Sequence, residues 1–346
     1  MAWSTSKESH IHRLDPQPQL PTDHRIDWGR LGRVGLTAGA LIALAVLARR
    51  IDPHRLTDVF SQVRWPWVVA AAFLNLLNTG IESVRWTLLA SSVKPGVRVW
   101  SAFKGMLASA LGNVILPFKL GEGIRAYAFA NAEAIPFASA LSTVVLDRLI
   151  DGLCFLPVVV LTTWAVPMSA TASRVSVAVF AGIAVALTAL FVVARPRRRS
   201  LSPVDRVPPS RLAAQLVRFA DGLSGLRRGR LLFPALAVGL LSWSARMTVA
   251  WLMLQAFGLT LPFAAAGVML VFVNLGMAVV GAPGNVGAFE VAAAGALTLF
   301  SVPQDMALSV GVAYHVIELL PQVVLGLVLV GTGHVVVRRP PPSAEV

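Results

Sequence analysis

The chain has 346 residues, of which 56% are hydrophobic and 14% are charged, and its formal net charge is +13. A soluble domain carries nearer a quarter of charged residues, and several apolar runs here approach the ~18–20 residues that cross a bilayer. The composition therefore excludes an ordinary soluble protein. We predict an all-α polytopic membrane protein.

The basic residues do not indicate nucleic-acid binding, because most of them lie in short loops beside apolar runs. This distribution is the topology signal of membrane proteins, and from it we predict a multi-pass protein of the inner (plasma) membrane with both termini in the cytoplasm. Loop arginines and lysines also suit anionic lipid head groups as partners. The sequence leaves a homo-oligomer open.

The chain begins with a polar tail, residues 1–30, which we expect to be disordered. A single transmembrane domain then covers residues 31–336, and a cytoplasmic tail covers 337–346. The six apolar runs that we interpret as full crossings are 31–48, 66–90, 137–165, 174–194, 231–257 and 305–336. A basic cytoplasmic loop, residues 195–230, separates the fourth crossing from the fifth.

Two further apolar runs are interrupted by helix breakers. The first break is NVILPFKLGEGIR, residues 113–125, and the second is GAPGNVGAFE, residues 281–290. Proline, glycine and ionisable groups between apolar segments are tolerated in a bilayer only where the backbone lines a protein-enclosed cavity. We therefore predict two re-entrant broken hairpins, whose arms are 100–116 with 123–134 and 263–280 with 287–301.

The spacing of motifs indicates an internal repeat with halves at about 66–165 and 231–336. At an offset of 167 residues, Arg148 falls on His315 and Asp151 falls on Glu318. Three predicted crossings separate equivalent points, and an odd number inverts the second half. Inverted repeats with broken helices at corresponding positions are typical of transporters, and the breaks indicate the substrate site.

Ionisable residues within apolar spans are costly, so they should pair and face inward. The candidate substrate-binding residues share a position within or beside the breaks and spans: Asn113, Glu122, Arg125, Arg148, Asp151, Arg246, Asn285, Glu290, His315 and Glu318. Glu82 and Arg85, at i and i+3, are predicted to form a structural ion pair. The sequence leaves open whether these groups bind substrate or only fix helix packing.

Phosphate is the ligand chemistry that this pattern favours. Guanidinium groups grip phosphate through two hydrogen bonds, which suits Arg125, Arg148 and Arg246. Free N–H groups at a hairpin tip would add to such a site. Carboxylates would balance the arginines or bind a cationic head group, and Asn113 and Asn285 would bond to freed backbone or to ligand. No catalytic residue, metal site or cofactor is predicted.

The same residues resemble the flippase-like integral membrane domain of lysylphosphatidylglycerol synthetases and its stand-alone relatives. The resemblance rests on NVILPFKLGEGIR, on the acidic-Arg-x-x-Asp segment at 147–151, and on APGNVGAFE. It implies translocation of an amphipathic phospholipid or a polyprenyl-phosphate-linked lipid between leaflets. No long polar region follows residue 336, so we do not expect this chain to synthesise lysyl-lipid.

Two other functions stay open at this point. One is an integral membrane enzyme that acts on a lipid phosphate, with paired carboxylates as acid and base or as Mg²⁺ ligands. The absence of an Asp-rich DDxxD-like stretch ranks this below transport. The other is a non-transporting scaffold for envelope lipid synthesis, in which the 195–230 surface would matter more than the charged residues.

Overall fold

The computed structural model describes residues 63–165, 229–280 and 282–332, with three isolated positions between the first two ranges. Every regular element in these ranges is helical, as the sequence predicts. The eight α-helices, in chain order, are α1 Trp65–Ala90, α2 Val99–Ile115, α3 Gly121–Glu133, α4 Phe137–Ala165, α5 Gly229–Ala256, α6 Phe263–Val280, α7 Ala288–Thr298 and α8 Gln304–Gly331.

The long helices bury polar side chains and expose apolar ones, which is the arrangement expected in lipid. On α1, Val69, Phe73 and Leu77 are spaced by four residues, and at least half of each is exposed. The opposite face of α1 buries Asn75 and Glu82. Because residues at i and i+4 share a helix face, this pattern separates a lipid-facing stripe from a polar interior.

Length and composition make α1, α5 from Arg230 onward, and α8 suitable to cross a bilayer. Helix α4 has 29 residues, or about 43 Å at 1.5 Å per residue, but carries three charged side chains near its middle. The chain is a multi-pass membrane protein. The predicted crossing 31–48 and both tails lie outside the described residues, and so do the crossing 174–194 and the loop 195–230 apart from the three isolated positions and the first two residues of α5. The count of six crossings therefore stays a prediction.

The helical path stops at both predicted breaks. Helix α2 ends at Ile115 and α3 begins at Gly121, and Phe118 and Lys119 between them adopt left-handed φ values of 55° and 56°. After α6, a 3₁₀ turn at Pro283–Asn285 precedes α7. Left-handed conformations cannot continue a right-handed helix, so each apolar segment folds back as a helical hairpin.

Small residues allow the two arms of each hairpin to approach closely. A Cβ atom at Gly121 would lie 2.4 Å from the Ser109 carbonyl oxygen, and one at Gly276 would lie 2.8 Å from the Ala292 Cβ. Such distances are shorter than real carbon contacts. The hairpins α2–α3 and α6–α7 are therefore packed backbone to backbone, as in small-residue interfaces of membrane helices.

The second half repeats the order of the first: long helix, short helix, break, short helix, long helix. The equivalent helices α1 and α5 run antiparallel, because the Arg64 N–H donates to the Ala256 carbonyl at 2.9 Å while Arg85 near the other end of α1 lies against Gly239. The short helix before each break packs on the last long helix of the other half: α2 packs on α8, and α6 packs on α4. Antiparallel equivalent helices are the relation that an inverted repeat requires.

Candidate functional site

A cavity of about 190 Å³ lies where the two halves meet. Each of the eight described helices contributes to its wall, and the second break contributes Gly284 and Asn285. The first hairpin reaches the same place, because a Cβ atom at Gly284 would lie 3.7 Å from the Val114 carbonyl oxygen. The charged and ionisable lining residues are Glu82, Glu122, Arg148, Arg246, His315 and Glu318.

Behind one wall of the cavity, three arginines and three acids form a single ionic network: Arg85, Arg125, Arg148, Glu122, Asp147 and Asp151. Asp147 is at its centre and is fully buried. Its carboxylate accepts a hydrogen bond from Arg85 Nε at 2.9 Å and from Arg125 Nη2 at 2.7 Å. Arg85 Nη1 also donates to Asp151 at 2.5 Å.

Glu122 extends this network into the cavity. Its Oε2 lies 3.2 Å from Arg125 Nη1, and its Oε1 accepts from the guanidinium of Arg148 and from the Ser109 hydroxyl. Glu122 lies in the first turn of α3, where the helix dipole favours an acidic side chain. The network thus ties α1, α3 and α4 together through charges that balance one another.

Arg125 is held behind the cavity wall. Its side chain is fully buried, its guanidinium carbon lies 3.9 Å from the ring centroid of Trp86, and two of its nitrogens bind carboxylates. The structure therefore does not place Arg125 on the cavity, whereas the side chains of Arg148 and Arg246 line it and stay 39% and 22% exposed. Arg125 positions Glu122 and Asp147.

Glu82 and Arg85 do not pair with each other, which corrects the prediction from their spacing. Arg85 turns toward α4 and binds Asp147 and Asp151, whereas Glu82 turns toward α5 and binds Arg246. Arg246 Nε lies 3.0 Å from Glu82 Oε1. The reason is geometric: each side chain meets a partner of opposite charge on a neighbouring helix, and a buried charge needs such a partner more than a same-helix neighbour.

The second hairpin carries a smaller polar set. His315 Nδ1 lies 2.8 Å from Glu290 Oε1, and the His315 ring stacks on Phe289 with centroids 4.3 Å apart. The other carboxylate oxygen of Glu290 accepts the Gly287 N–H at 2.7 Å, which is one arm of a capping box at the start of α7. Glu290 therefore joins α8 to the second break.

The predicted residues divide into two groups. Seven line the cavity: Asn113, Glu122, Arg148, Arg246, Asn285, His315 and Glu318. Arg125, Asp151 and Glu290 do not line it and pair with residues that do. The Asn113 side chain accepts the Gly121 N–H at 2.9 Å, so it bonds to backbone freed by the break.

Sequence reasoning missed a polar stripe on α1. Asn75, Asn78 and Thr79 line the cavity together with Glu82. The Asn75 amide donates to the Ile317 carbonyl at 2.8 Å, and the Asn78 amide donates to Glu82 at 3.0 Å. Polar residues at steps of three and four in an apolar helix were the available signal.

Fold and site together define a class: multi-pass helical membrane proteins in which two broken hairpins close around an ionisable cavity. Within that class, the chain belongs to the family of the lysylphosphatidylglycerol synthase transmembrane region, whose family model matches residues 31–326.

Two relatives of similar length have names that state a membrane protein and no activity. Two UPF0104 membrane proteins of Methanothermobacter thermautotrophicus are 25% and 22% identical over 315 and 305 residues, which cover 84% and 81% of this chain and 90% and 88% of theirs. A Haloferax volcanii protein named Glycosyltransferase AglD is 27% identical over 124 residues. That match covers 34% of this chain and only 20% of the relative.

Proposed function

We propose that this protein moves an amphipathic lipid with a phosphate-bearing head group between the two leaflets. The observation that carries the proposal is the cavity between the halves, in which Arg148 and Arg246 are the partly exposed arginines. Ionisable groups enclosed in a membrane domain are expensive, and they mark substrate paths in transporters. The broken hairpins at its edge add the feature shared by inverted-repeat transporters.

The arginines are arranged for exchange of partners. Arg148 contacts Glu122, and Arg246 contacts Glu82, so each guanidinium has a carboxylate partner. A lipid phosphate would take over hydrogen bonds from these carboxylates, since guanidinium binds both anions with the same paired geometry. The acyl or prenyl chains would stay in the bilayer beside the exposed apolar stripes.

The cargo is either a glycerophospholipid or a polyprenyl-phosphate-linked lipid. The Haloferax relative is named a glycosyltransferase, and that name supports a lipid that carries a saccharide as the cargo. We place the protein in the plasma membrane with both termini in the cytoplasm, on the basis of the basic loops. Reporter fusions at each terminus would test that orientation.

Leaflet exchange in proteoliposomes tests the proposal. Vesicles holding the full chain would contain a trace of fluorescent phosphatidylglycerol or fluorescent polyprenyl phosphate, and dithionite would bleach only the outer leaflet. We expect the protein to bring inner-leaflet lipid to the outer leaflet, so that dithionite bleaches the inner pool as well. We expect Arg246→Ala to slow exchange roughly tenfold or more, because a charge-assisted hydrogen bond contributes about 1.5–3 kcal/mol.

Arg98→Ala is the matched control, because Arg98 is exposed and pairs with Glu133 away from the cavity. The paired change Glu82→Gln with Arg246→Gln removes both charges of one ion pair and so avoids a buried unpaired carboxylate. Exchange that is equal in the wild type, in this double variant and in Arg98→Ala would refute a role for the cavity arginines.

The rival function is a membrane enzyme acting on a lipid phosphate, and the same carboxylates would then serve as acid and base. Purified protein incubated with a polyprenyl phosphate or diphosphate and Mg²⁺ separates the two. Chemical turnover without leaflet exchange would favour the enzyme, and exchange of intact lipid without turnover would favour the transporter.

A further inference from the structure

The two hairpins hold equivalent acid–base pairs of different chemistry. In the first half, Glu122 in the first turn of α3 binds Arg148 on α4. In the second half, Glu290 in the first turn of α7 binds His315 on α8. An arginine stays charged at every physiological pH, whereas a histidine gains and loses its proton near neutrality.

His315 also lies on the cavity and has a link to the backbone. Its side chain is one of the cavity-lining groups. Its partner Glu290 accepts a hydrogen bond from the Gly287 N–H at the second break, where Gly284 and Gly287 have positive φ values of 59° and 88°. A change of charge on the imidazole therefore acts on the contact that fixes this hairpin tip.

Acidic and basic groups both lie around His315. Carboxylates facing it or the cavity it shares come from α7, from α8 itself, from α1 and from α3: Glu290, Glu318, Glu82 and Glu122. The cationic groups on the same cavity are Arg246 from α5 and Arg148 from α4, each already bound to one of those carboxylates. Glu318 makes no salt bridge within the described ranges, with Tyr314 one turn earlier as its hydrogen-bonding neighbour.

We propose that the His315–Glu290 pair is a proton-binding site that couples proton entry to movement of the second hairpin, and so drives lipid movement. A proton from water binds the imidazole and makes a charged pair that holds α7 and the break against α8. Loss of the proton to the other compartment leaves a neutral imidazole and a weaker contact. The coupling to lipid rests on the function proposed above, whereas the proton site does not.

Proton binding can be measured without any transport. Ring-¹⁵N histidine would be incorporated into the full chain, and magic-angle-spinning NMR would be recorded in proteoliposomes across pH 5–8. The His315 signal is the one absent from His315→Gln. We expect it to change with pH over this range in the wild type, and Glu290→Gln to alter that change, because Glu290 is the group in contact with the ring. A His315 signal that does not change over this range would overturn the site.

Coupling is then measured as the response of lipid exchange to a gradient. Proteoliposomes with fluorescent phosphatidylglycerol would carry a difference of two pH units across the membrane, with the potential clamped by valinomycin. We expect the inward and outward rates of the wild type to differ by about fivefold or more, within the range of typical coupling between sites. In His315→Arg, which copies the fixed charge of Arg148, that ratio should fall to one whatever the absolute rate.

The outcomes separate the two proposals. No exchange by the wild type at any pH, with a titrating His315, refutes the lipid transporter and keeps the proton site. Exchange whose directional ratio persists in both His315→Arg and His315→Gln refutes the coupling and keeps the transporter.

Discussion

The two halves share one order of helices but stabilise their hairpins by different means. In the first half, α3 is fixed to α1 and α4 by the six-residue ionic network around Asp147. In the second half, α7 packs through its own apolar side chains, such as Ala293 and Leu297, in one apolar cluster with Val310 of α8, and the Glu290–His315 pair is its polar contact to α8.

This difference shows that a repeated scaffold does not require repeated chemistry. Buried charges are directional and tolerate little displacement, because a broken pair leaves an uncompensated charge. Apolar burial is non-directional, so it constrains the position of a helix less than an ion pair does. We therefore expect the first hairpin to act as the fixed part of the site and the second as the part that moves.

The largest effect should follow from removing the centre of the ionic network. Asp147→Asn removes one of the two carboxylate partners of Arg85 and one of the two of Arg125, and both arginines are buried. We expect a loss of about 3–5 kcal/mol in the free energy of unfolding. Unfolding in mixed detergent micelles, followed by tryptophan fluorescence, measures it. The control Asp305→Asn removes an exposed carboxylate at the start of α8 and should change stability by less than about 1 kcal/mol.

A second prediction concerns the close approach of the hairpin arms. Gly121→Ala would push a methyl group into the Ser109 carbonyl and should destabilise the fold by about 1–3 kcal/mol. Gly123→Ala, two residues later, meets nothing within 4 Å and should be neutral or stabilising by up to ~1 kcal/mol. Equal melting temperatures for the two variants would contradict backbone-to-backbone packing of α2 and α3.

The polar contact of the second hairpin should matter less for stability than Asp147. Glu290→Gln keeps an oxygen to accept the Gly287 N–H and an amide that can bond to His315, so we expect a loss of about 1 kcal/mol. The same unfolding measurement applies. A loss as large as that of Asp147→Asn would remove the contrast between a fixed and a movable hairpin.

The smallest effects should come from the left-handed residues at the two breaks. Lys119 and Asn285 both have φ values of 56°, but asparagine tolerates this conformation better than lysine. Lys119→Gly should therefore stabilise the protein by about 0.5–1 kcal/mol, and Asn285→Gly by less, because glycine adopts this conformation without a Cβ clash. Thermal melting in detergent would rank the two, and the opposite order would contradict the argument.

Several features of the site could be predicted from the sequence because they depend on local rules. Pro117 and Pro283 mark both breaks, since breakers inside apolar runs cannot continue a helix. The equivalence of Arg148 and His315 came from an offset alone, and the structure places both opposite an acid in the first turn of the preceding helix. The family followed from the order of three motifs.

The sequence by itself determined the helical membrane class, the two broken hairpins and the set of ionisable residues turned away from lipid, because periodicity and the cost of charge in a bilayer act along the chain. Only the tertiary structure decided which charged residues pair: Glu82 with Arg246 and Arg85 with Asp147. It also decided that Arg125 lies behind the cavity wall, where it pairs with Asp147. Partner choice depends on which helices are neighbours and how they are rotated, and that information lies in contacts between residues 22 to 164 positions apart.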